Sequence, residues 1–468
     1  MTDEAVPLSI HINVADVTME FEAILLPEAV ETSLQALLGG IGIQVLGGVI
    51  QVLDDQFRQE VPEGWRNAGR EARTLVSSLG AIQYRRRIYV DEQGQRRKPM
   101  DELLGVLRYE RLSGRVKEIG ASLASTQTYR LAADQLSYQT GTELSPNTVQ
   151  RMAWRVGERI VAGEEAQRKR VFEAGEDLKG GPIEAPVLYG ESDGVWIHLQ
   201  REEKRSAEVR VAVLSTGRIP VGKDRYRLEN KHGWTALEVT SEQWQEQILQ
   251  EAHLTYALEK TKVLICGGDG GAWVRRSFER LGLPDHFVLD RFHLQRAARR
   301  AFENKETAGQ VVARLQKEGY AAVSDELQGY VQQAQGKPQE KLLDFQEYVS
   351  NNQEGLIDLK HRGLEVGPCL GAIEGNVDKL VAHRMKGRGC SWRLRGAKVM
   401  LALCRHREEL RSHAYAYLPL STPPRTYRET QVLGVEYEQA FQVTVPIFSG
   451  PAQNQPWVLR LHEWIYGR

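Results

Sequence analysis

Between Gly180-Gly181-Pro182 and Ala301 the apolar residues change period several times, and that succession limits the fold more than any other feature of the sequence. Val187 to Tyr189, Val195 to Leu199 and Val209 to Leu214 are short β-branched and aromatic runs, the pattern of strands in quick succession. Ser241 to His253 then reads as a helix, Val263 to Cys266 as a buried strand and Ala272 to Leu281 as a helix. Phe287 to Leu289 follows as a strand and Arg291 to Ala301 as a helix. Three strands followed by alternating helix and strand predict an α/β domain, a mixed sheet with helices packed on it. That order matches the ribonuclease-H-like arrangement.

At 468 residues the chain exceeds what one hydrophobic core serves, so further regions are expected around that sheet. Residues 1–64 open with a strand-like run, Leu8 to Val14, followed by one or two helices. Within 65–108, Arg73 to Gly80 and Ala81 to Val90 suggest a hairpin before the Asp91-Glu92-Gln93-Gly94 turn. Residues 109–180 are helical. There a helix from Thr128 to Tyr138 and a turn at Gly141 to Leu144 precede a helix from Pro146 to about Ile160, opened by Ser145 as N-cap. This is the outline of a helix-turn-helix-like DNA-binding region, with Asn147, Gln150, Arg151 and Arg155 on the polar side as residues suited to base edges and phosphates. An ordinary helical hairpin has the same outline. The core's first part spans 181–301, and 302–366 reads as a polar helical insertion. Its second part, 367–410, holds a helix from Ala372 to Arg384 with Ile373, Val377, Leu380 and Val381 on its apolar face; 411–468 form a tail.

Composition excludes several classes. A net charge of −1 rules out a polycation, so any nucleic-acid function rests on local basic patches. The cysteines Cys266, Cys369, Cys390 and Cys404 lie far apart, which argues against a zinc ribbon or a disulfide framework. The acidic start is unlike a signal peptide. Leu34 to Leu53 is apolar, but Gln44 and Gln51 interrupt it and Asp54-Asp55 ends it, so a buried helix is expected in place of a membrane span. A soluble, cytoplasmic protein follows.

Carboxylates are the candidate chemistry. Asp193 follows Val187-Leu188-Tyr189-Gly190-Glu191-Ser192 and Asp269 follows Val263-Leu264-Ile265-Cys266-Gly267-Gly268; each is followed by glycine, as expected just past a strand where the backbone turns. For either Asp-Gly pair alone a plain β-turn is the simpler account. Two such sites in one sheet domain, with a carboxylate from a helix, suit phosphoryl transfer on DNA, which uses two divalent ions held by Asp and Glu oxygens. Glu191 lies on the same strand face as Asp193 and is a further candidate ligand. Glu374 borders the apolar stripe of its helix, and Asp378, one turn on, is its alternative.

Ser192-Asp193-Gly194-Val195-Trp196, Gly268-Asp269-Gly270-Gly271-Ala272-Trp273 and Asp290-Arg291-Phe292-His293-Leu294 resemble blocks of the ISLre-type insertion-sequence transposases, distant relatives of the Mutator-like DDE enzymes long grouped as an uncharacterised protein family. Glu374-Gly375-Asn376-Val377-Asp378-Lys379 with His383-Arg384-Met385-Lys386-Gly387-Arg388-Gly389 is similar to the most specific block of that family. Asp101-Glu102-Leu103-Leu104-Gly105, Ser449-Gly450-Pro451 and Pro456-Trp457-Val458 extend the likeness over about residues 70–458. The resemblance implies a ribonuclease-H-like core with a helical insertion before the final Glu, and maps a catalytic triad onto Asp193, Asp269 and Glu374. It implies two Mg2+ ions per site, for which Mn2+ substitutes. The reaction expected is cleavage at the ends of a bacterial insertion sequence and joining of 3′ hydroxyls to target DNA. Double-stranded DNA is the expected partner, bound by a homodimer or higher oligomer near the nucleoid, with no membrane. Asp290 and His293 match an Asp-x-x-His element, expected either near the scissile phosphate or as a structural pair.

From Lys379 to Arg407 there are nine Lys or Arg, among them Arg384, Lys386, Arg388, Arg393 and Arg395, expected to contact phosphate. Two other functions fit the same features: a catalytically inactive or domesticated relative that only binds DNA, and a ribonuclease-H-like nuclease without strand transfer. Metal-dependent nicking and a DNA-paired dimer separate them.

Overall fold

The computed structural model describes residues 6–14, 17–25, 30–223, 225–364, 370–387, 389–408 and 410. The expected tail, residues 411–468, lies outside these. The chain divides into two compact units: Met1–Ala124 with Tyr129–Met152 and Glu409–Arg468, and Ser125–Thr128 with Ala153–Glu408.

In the first unit β1 (Val6–Val14) and β2 (Val17–Leu25) pair antiparallel, Ile10 opposite Phe21. The alternation Val17, Met19, Phe21, Ala23 carries β2, a strand that the sequence reading passed over. The single helix α1 (Val30–Gln59) follows. β3 (Arg66–Ser77), β4 (Gly80–Val90) and β5 (Arg96–Arg97) form a three-stranded antiparallel sheet, and α2 (Pro99–Leu103) follows. Helix α1 lays Ile43, Leu46 and Ile50 on Leu75, Ile82 and Tyr84 of this sheet. The expected buried helix is therefore buried along one stripe only, because a narrow sheet covers one side of it. Leu38 on the other side is 55% exposed. By length and composition alone Leu34–Gln59 is apolar enough to cross a membrane, with mean hydropathy 1.9.

Helices α3 (Gly114–Thr126), α4 (Tyr129–Thr140) and α5 (Pro146–Phe172) come next. Gly120 is where they meet: a Cβ there would lie 1.9 Å from Met152 of α5 and 3.2 Å from Leu136 of α4. Ser145 caps α5 as expected, its hydroxyl accepting the Thr148 amide at 3.2 Å. The helix runs on to Phe172, beyond the expected end near Ile160.

The second unit is a mixed α/β body. β6 (Val187–His198), β7 (Ser206–Ser215) and β10 (His232–Leu237) join β11 (Val263–Gly268) and β12 (Asp285–Leu289) in one sheet of order β10-β7-β6-β11-β12. Pairing makes β7 antiparallel to its neighbours β6 and β10, while β6, β11 and β12 are parallel. The hairpin β8 (Gly217–Gly222) and β9 (Arg225–Glu229) stands apart from it. Five strands in place of the expected three precede the alternating segment, and three of them join this sheet: the two runs expected around Asp193 are one strand, β6, with β7 and β10 beside it. Helix α6 (Ser241–Thr255) and the short α7 (Ala272–Arg275) connect the strands, and α8 (Arg291–Ala301) follows the last of them. Then follow α9 (Lys305–Glu318), α10 (Ser324–Gln333), α11 (Lys337–Asn351) and α12 (Gln353–Leu356). Val311, Leu315, Leu327, Phe345 and Val349 of these last helices share one apolar cluster with Leu188, Leu214 and Leu264 of the sheet. Helix α13 (Ile373–Val377) runs through a π-helical turn, Asp378–Ala382, into α14 (His383–Met385), and α15 (Leu394–Arg405) closes the unit.

A partly buried charge cluster holds α15 in place. Glu164 of α5 pairs with Arg405 and with His406, the latter at 2.7 Å. Burial alone would raise the Glu164 carboxyl, but Arg405 and His406 outweigh it and hold it at about 2, below its ordinary 4.5. A depressed carboxylate stabilises the fold above its unfolded value and loses that contribution as pH falls through the folded one. Glu164→Gln is expected to cost on the order of 2 kcal/mol at neutral pH. In urea unfolding the gap from the unaltered protein should close between pH 4.5 and about 2; a gap independent of pH there refutes the assignment.

Candidate active site

Parallel pairing sets Glu191 opposite Gly267 and Gly268 opposite Leu289. Continuing that register brings Asp193, Asp269 and Asp290 into a row across β6, β11 and β12, on strands about 4.8 Å apart. Each aspartate accepts a backbone amide from just downstream: Asp193 from Gly194 at 2.7 Å, Asp269 from Gly271 at 2.9 Å, and Asp290 from His293 at 3.0 Å. Asp290 is thereby the N-cap of α8.

The expected turn after Asp193 is corrected by the structure. β6 runs through Asp193-Gly194 unbroken, with Asp193 opposite Val211 of β7. The polar stretch Glu191 to Gly194 resembles a loop in sequence, yet its backbone is paired with β7 throughout, while the pairing with β11 ends at Glu191. Gly194 instead makes room, since a Cβ there would lie 2.3 Å from the Glu208 carboxylate. Asp269 does sit just past its strand, beside Gly270 at φ +88°, and the Tyr348 hydroxyl donates to its carbonyl at 2.9 Å.

A cavity of about 630 Å³ opens beside this row, lined by Asp193, Asp290, His293, Glu191 and Glu374 among others. Glu374 lines it, whereas Asp378, at the start of the π-helical turn, is not among its lining residues. Glu191 is turned to a different task from the one expected. Its buried carboxylate accepts the amides of Gly371 and Ala372, the latter at 3.0 Å, immediately ahead of α13. Arg218 donates to the Leu370 carbonyl in the same stretch. β6 therefore carries Asp193 and also anchors the helix of Glu374.

Burial raises the Asp193 carboxyl above the ordinary carboxylate value; the Gly194 amide opposes this, Asp269 and Asp290 add repulsion, and His293 counteracts them. Glu208 is raised by burial, with Asp269 and Asp193 contributing. Glu208 was not anticipated, because an alternating strand position gives no sign of what lies across the neighbouring strand.

Among the described residues no three Asp, Glu, His or Cys side chains come together as a group able to hold a metal ion. The donor chemistry nevertheless fits a hard cation. Crowded carboxylates gain from positive charge between them, and magnesium takes one or two protein carboxylates while phosphate oxygens and water complete its shell.

The other expected residues are distributed unevenly. Asn147 and Arg151 are exposed and Gln150 half-buried on the first turns of α5, in the first unit; Arg155, also exposed, belongs to the second. Arg384 is corrected: it is 6% exposed and lies 4.9 Å from the Trp392 ring, so it is not displayed to solvent. Arg395 pairs with Glu158, and Arg388 lies outside the described residues. Lys386 and Arg393 are exposed.

The profile of the uncharacterised protein family UPF0236 matches residues 21–410. A Streptococcus gallolyticus protein described as "UPF0236 protein in vanSb 3'region" is 27% identical over 382 residues, 80% of this chain and 81% of that protein.

Glu191→Ala is expected to leave the two amides unpaired at a cost of roughly 1–3 kcal/mol in chemical denaturation. Glu191→Gln should fall between, because its side-chain amide accepts from one N–H and opposes the other. Equal stability of all three proteins would show that Glu191 does not hold α13.

Proposed function

The chain belongs to the uncharacterised protein family UPF0236, and we propose that it is a DDE-type transposase that cuts DNA at the ends of a bacterial insertion sequence and joins the freed 3′ hydroxyls to target DNA. The observation that carries this is the row Asp193, Asp269 and Asp290, level with one another across three neighbouring parallel strands, with Asp193, Asp290 and Glu374 lining one cavity and the helix of Glu374 tied to β6. The strand order β10-β7-β6-β11-β12, with β7 opposed to its neighbours, supports a ribonuclease-H-like core. The resemblance of the Asp193, Asp269 and Glu374 segments to ISLre-type transposases points the same way.

Asp193, Asp269 and Glu374 would hold magnesium, with manganese as a substitute. Bound there, the ions supply Lewis acidity to the attacking and leaving oxygens of an in-line displacement. The residues of the chain orient the reactants. Rigid strands fix Asp193 and Asp269, while Glu191 fixes the approach of Glu374. Water attacks the phosphodiester first, and the 3′ hydroxyl released then attacks a target phosphate.

DNA contact falls to two surfaces. Arg296, Arg299 and Arg300 are exposed along α8, and Lys386 and Arg393 are exposed beyond α13, as sequence-independent phosphate contacts. The opening turns of α5, with Asn147, Gln150 and Arg151, are assigned to reading the element's ends. The protein acts in the cytoplasm as a dimer or higher oligomer that pairs two ends.

The test uses the full chain with Mg2+ and linear DNA carrying the flanks of its gene. Asp193→Ala, Asp269→Ala and Glu374→Ala should each abolish cleavage and joining with mobility-shift binding retained. If the unaltered protein cuts nothing, or any of these variants remains active, the proposal or that residue's part in it falls. In the same binding assay, neutralising Lys386 and Arg393 together should reduce the slope of log affinity against log salt by up to about two units for any duplex. Gln150→Ala and Arg151→Ala should instead relax base preference at a cost of about 1–3 kcal/mol each. An unchanged slope would reduce the first pair to ordinary solvated surface, and unchanged base preference would sink the α5 assignment.

A further inference from the structure

Past the row of acids the cavity is largely apolar, with Ile265, Val288, Leu359, Leu370 and Ile373 in its walls. A sugar–phosphate backbone moving past the carboxylates makes no use of such walls. Phe292 also lines the cavity and is 58% exposed, although it sits in the first turn of α8 beside a buried sheet. A large aromatic left half in water forgoes stabilisation that burial would give, and it presents a face on which a planar ring can stack. Arg296, one helical turn further along α8, and Lys360 line the same space, and both are exposed. Exposed cations and an apolar wall in one space suit a ligand with an anionic backbone and an uncharged planar group. A volume of about 630 Å³ is in the range of small-molecule sites and far too small for a duplex.

Building on the transposase assignment above, we infer that this cavity receives one nucleobase turned out of the helix beside the phosphodiester to be cut. The base stacks on Phe292, and Arg296 and Lys360 hold the phosphates on either side of it. Extruding a base costs unstacking energy, which stacking on an aromatic side chain offsets. The cavity thus selects DNA that opens easily at the cleavage site, and single-stranded DNA binds it without that cost.

The probe is a fluorescein-labelled single-stranded oligothymidine of about 15 nucleotides, a length that covers one single-strand site. It is bound to the full chain in EDTA, and a second copy carries 5-iodouracil for photocross-linking. Cross-links are expected in the peptide that contains Phe292. Phe292→Ala should weaken oligothymidine binding about tenfold and Phe292→Trp should restore it, with affinity for a blunt duplex unchanged. Cross-links confined to other peptides, or Phe292→Ala binding as tightly as the unaltered chain, overturn the inference. Neither measurement needs catalysis. A protein that cross-links at Phe292 but never cuts DNA would therefore defeat the transposase assignment alone. One that cuts DNA through Asp193 but fails these tests would defeat the base site alone.

Discussion

The pairing of β11 between β6 and β12 is what the candidate site depends on. Parallel ladders space their strands at about 4.8 Å, so aspartates level with one another on adjacent strands are held closer than repulsion would leave them. The sheet supplies this constraint because its register is fixed by the apolar core, to which Leu188, Leu264 and Leu289 contribute. Each carboxylate then receives one amide from just downstream, from Gly194, Gly271 or His293. Those hydrogen bonds lower the cost of keeping three acids together and leave further lone pairs for a cation.

Glu374 reaches the cavity by another route. Its helix is only one element of a longer irregular run, and α13 itself spans five residues. So short a helix has no independent stability. Its position comes from Glu191, whose buried carboxylate reaches the Gly371 and Ala372 amides, and from Arg218 at the Leu370 carbonyl. Burial pushes the Glu191 carboxyl up, while these amides and Arg218 oppose it. A negative charge two residues from Asp193 therefore acts as a mechanical link.

Much of this architecture was legible in the sequence, and the gaps have specific causes. Periodicity located α8 at Arg291–Ala301 and placed β11 and β12 within a few residues, because their apolar runs end at sharp polar boundaries. It split β6 in two, since Glu191 to Gly194 breaks the apolar pattern while backbone pairing with β7 continues. It missed β10, whose His232-Gly233 start looks like a loop and whose strand character comes from packing on β7. Asp290 was recognisable only through its spacing to His293; its place in the row comes from register, which no local pattern carries. The role of Glu191 was hidden likewise, because its partners lie 180 and 181 positions away. Arg384 misled for the opposite reason: a basic run looks solvated, and no local pattern shows that the Trp392 ring covers this cation.

The row has a consequence for how such a chain can diverge. Because side chains in a strand alternate between faces, inserting or deleting one residue within β11 would turn Asp269 to the opposite side while leaving its chemistry intact in the sequence. Replacing Leu264 or Ile265 with another apolar residue of similar size disturbs packing and no more. Spacing between the strand and its aspartate is therefore the stricter requirement. A relative that kept every acid but shifted one of these lengths by a single residue would have the ingredients of the site without the site.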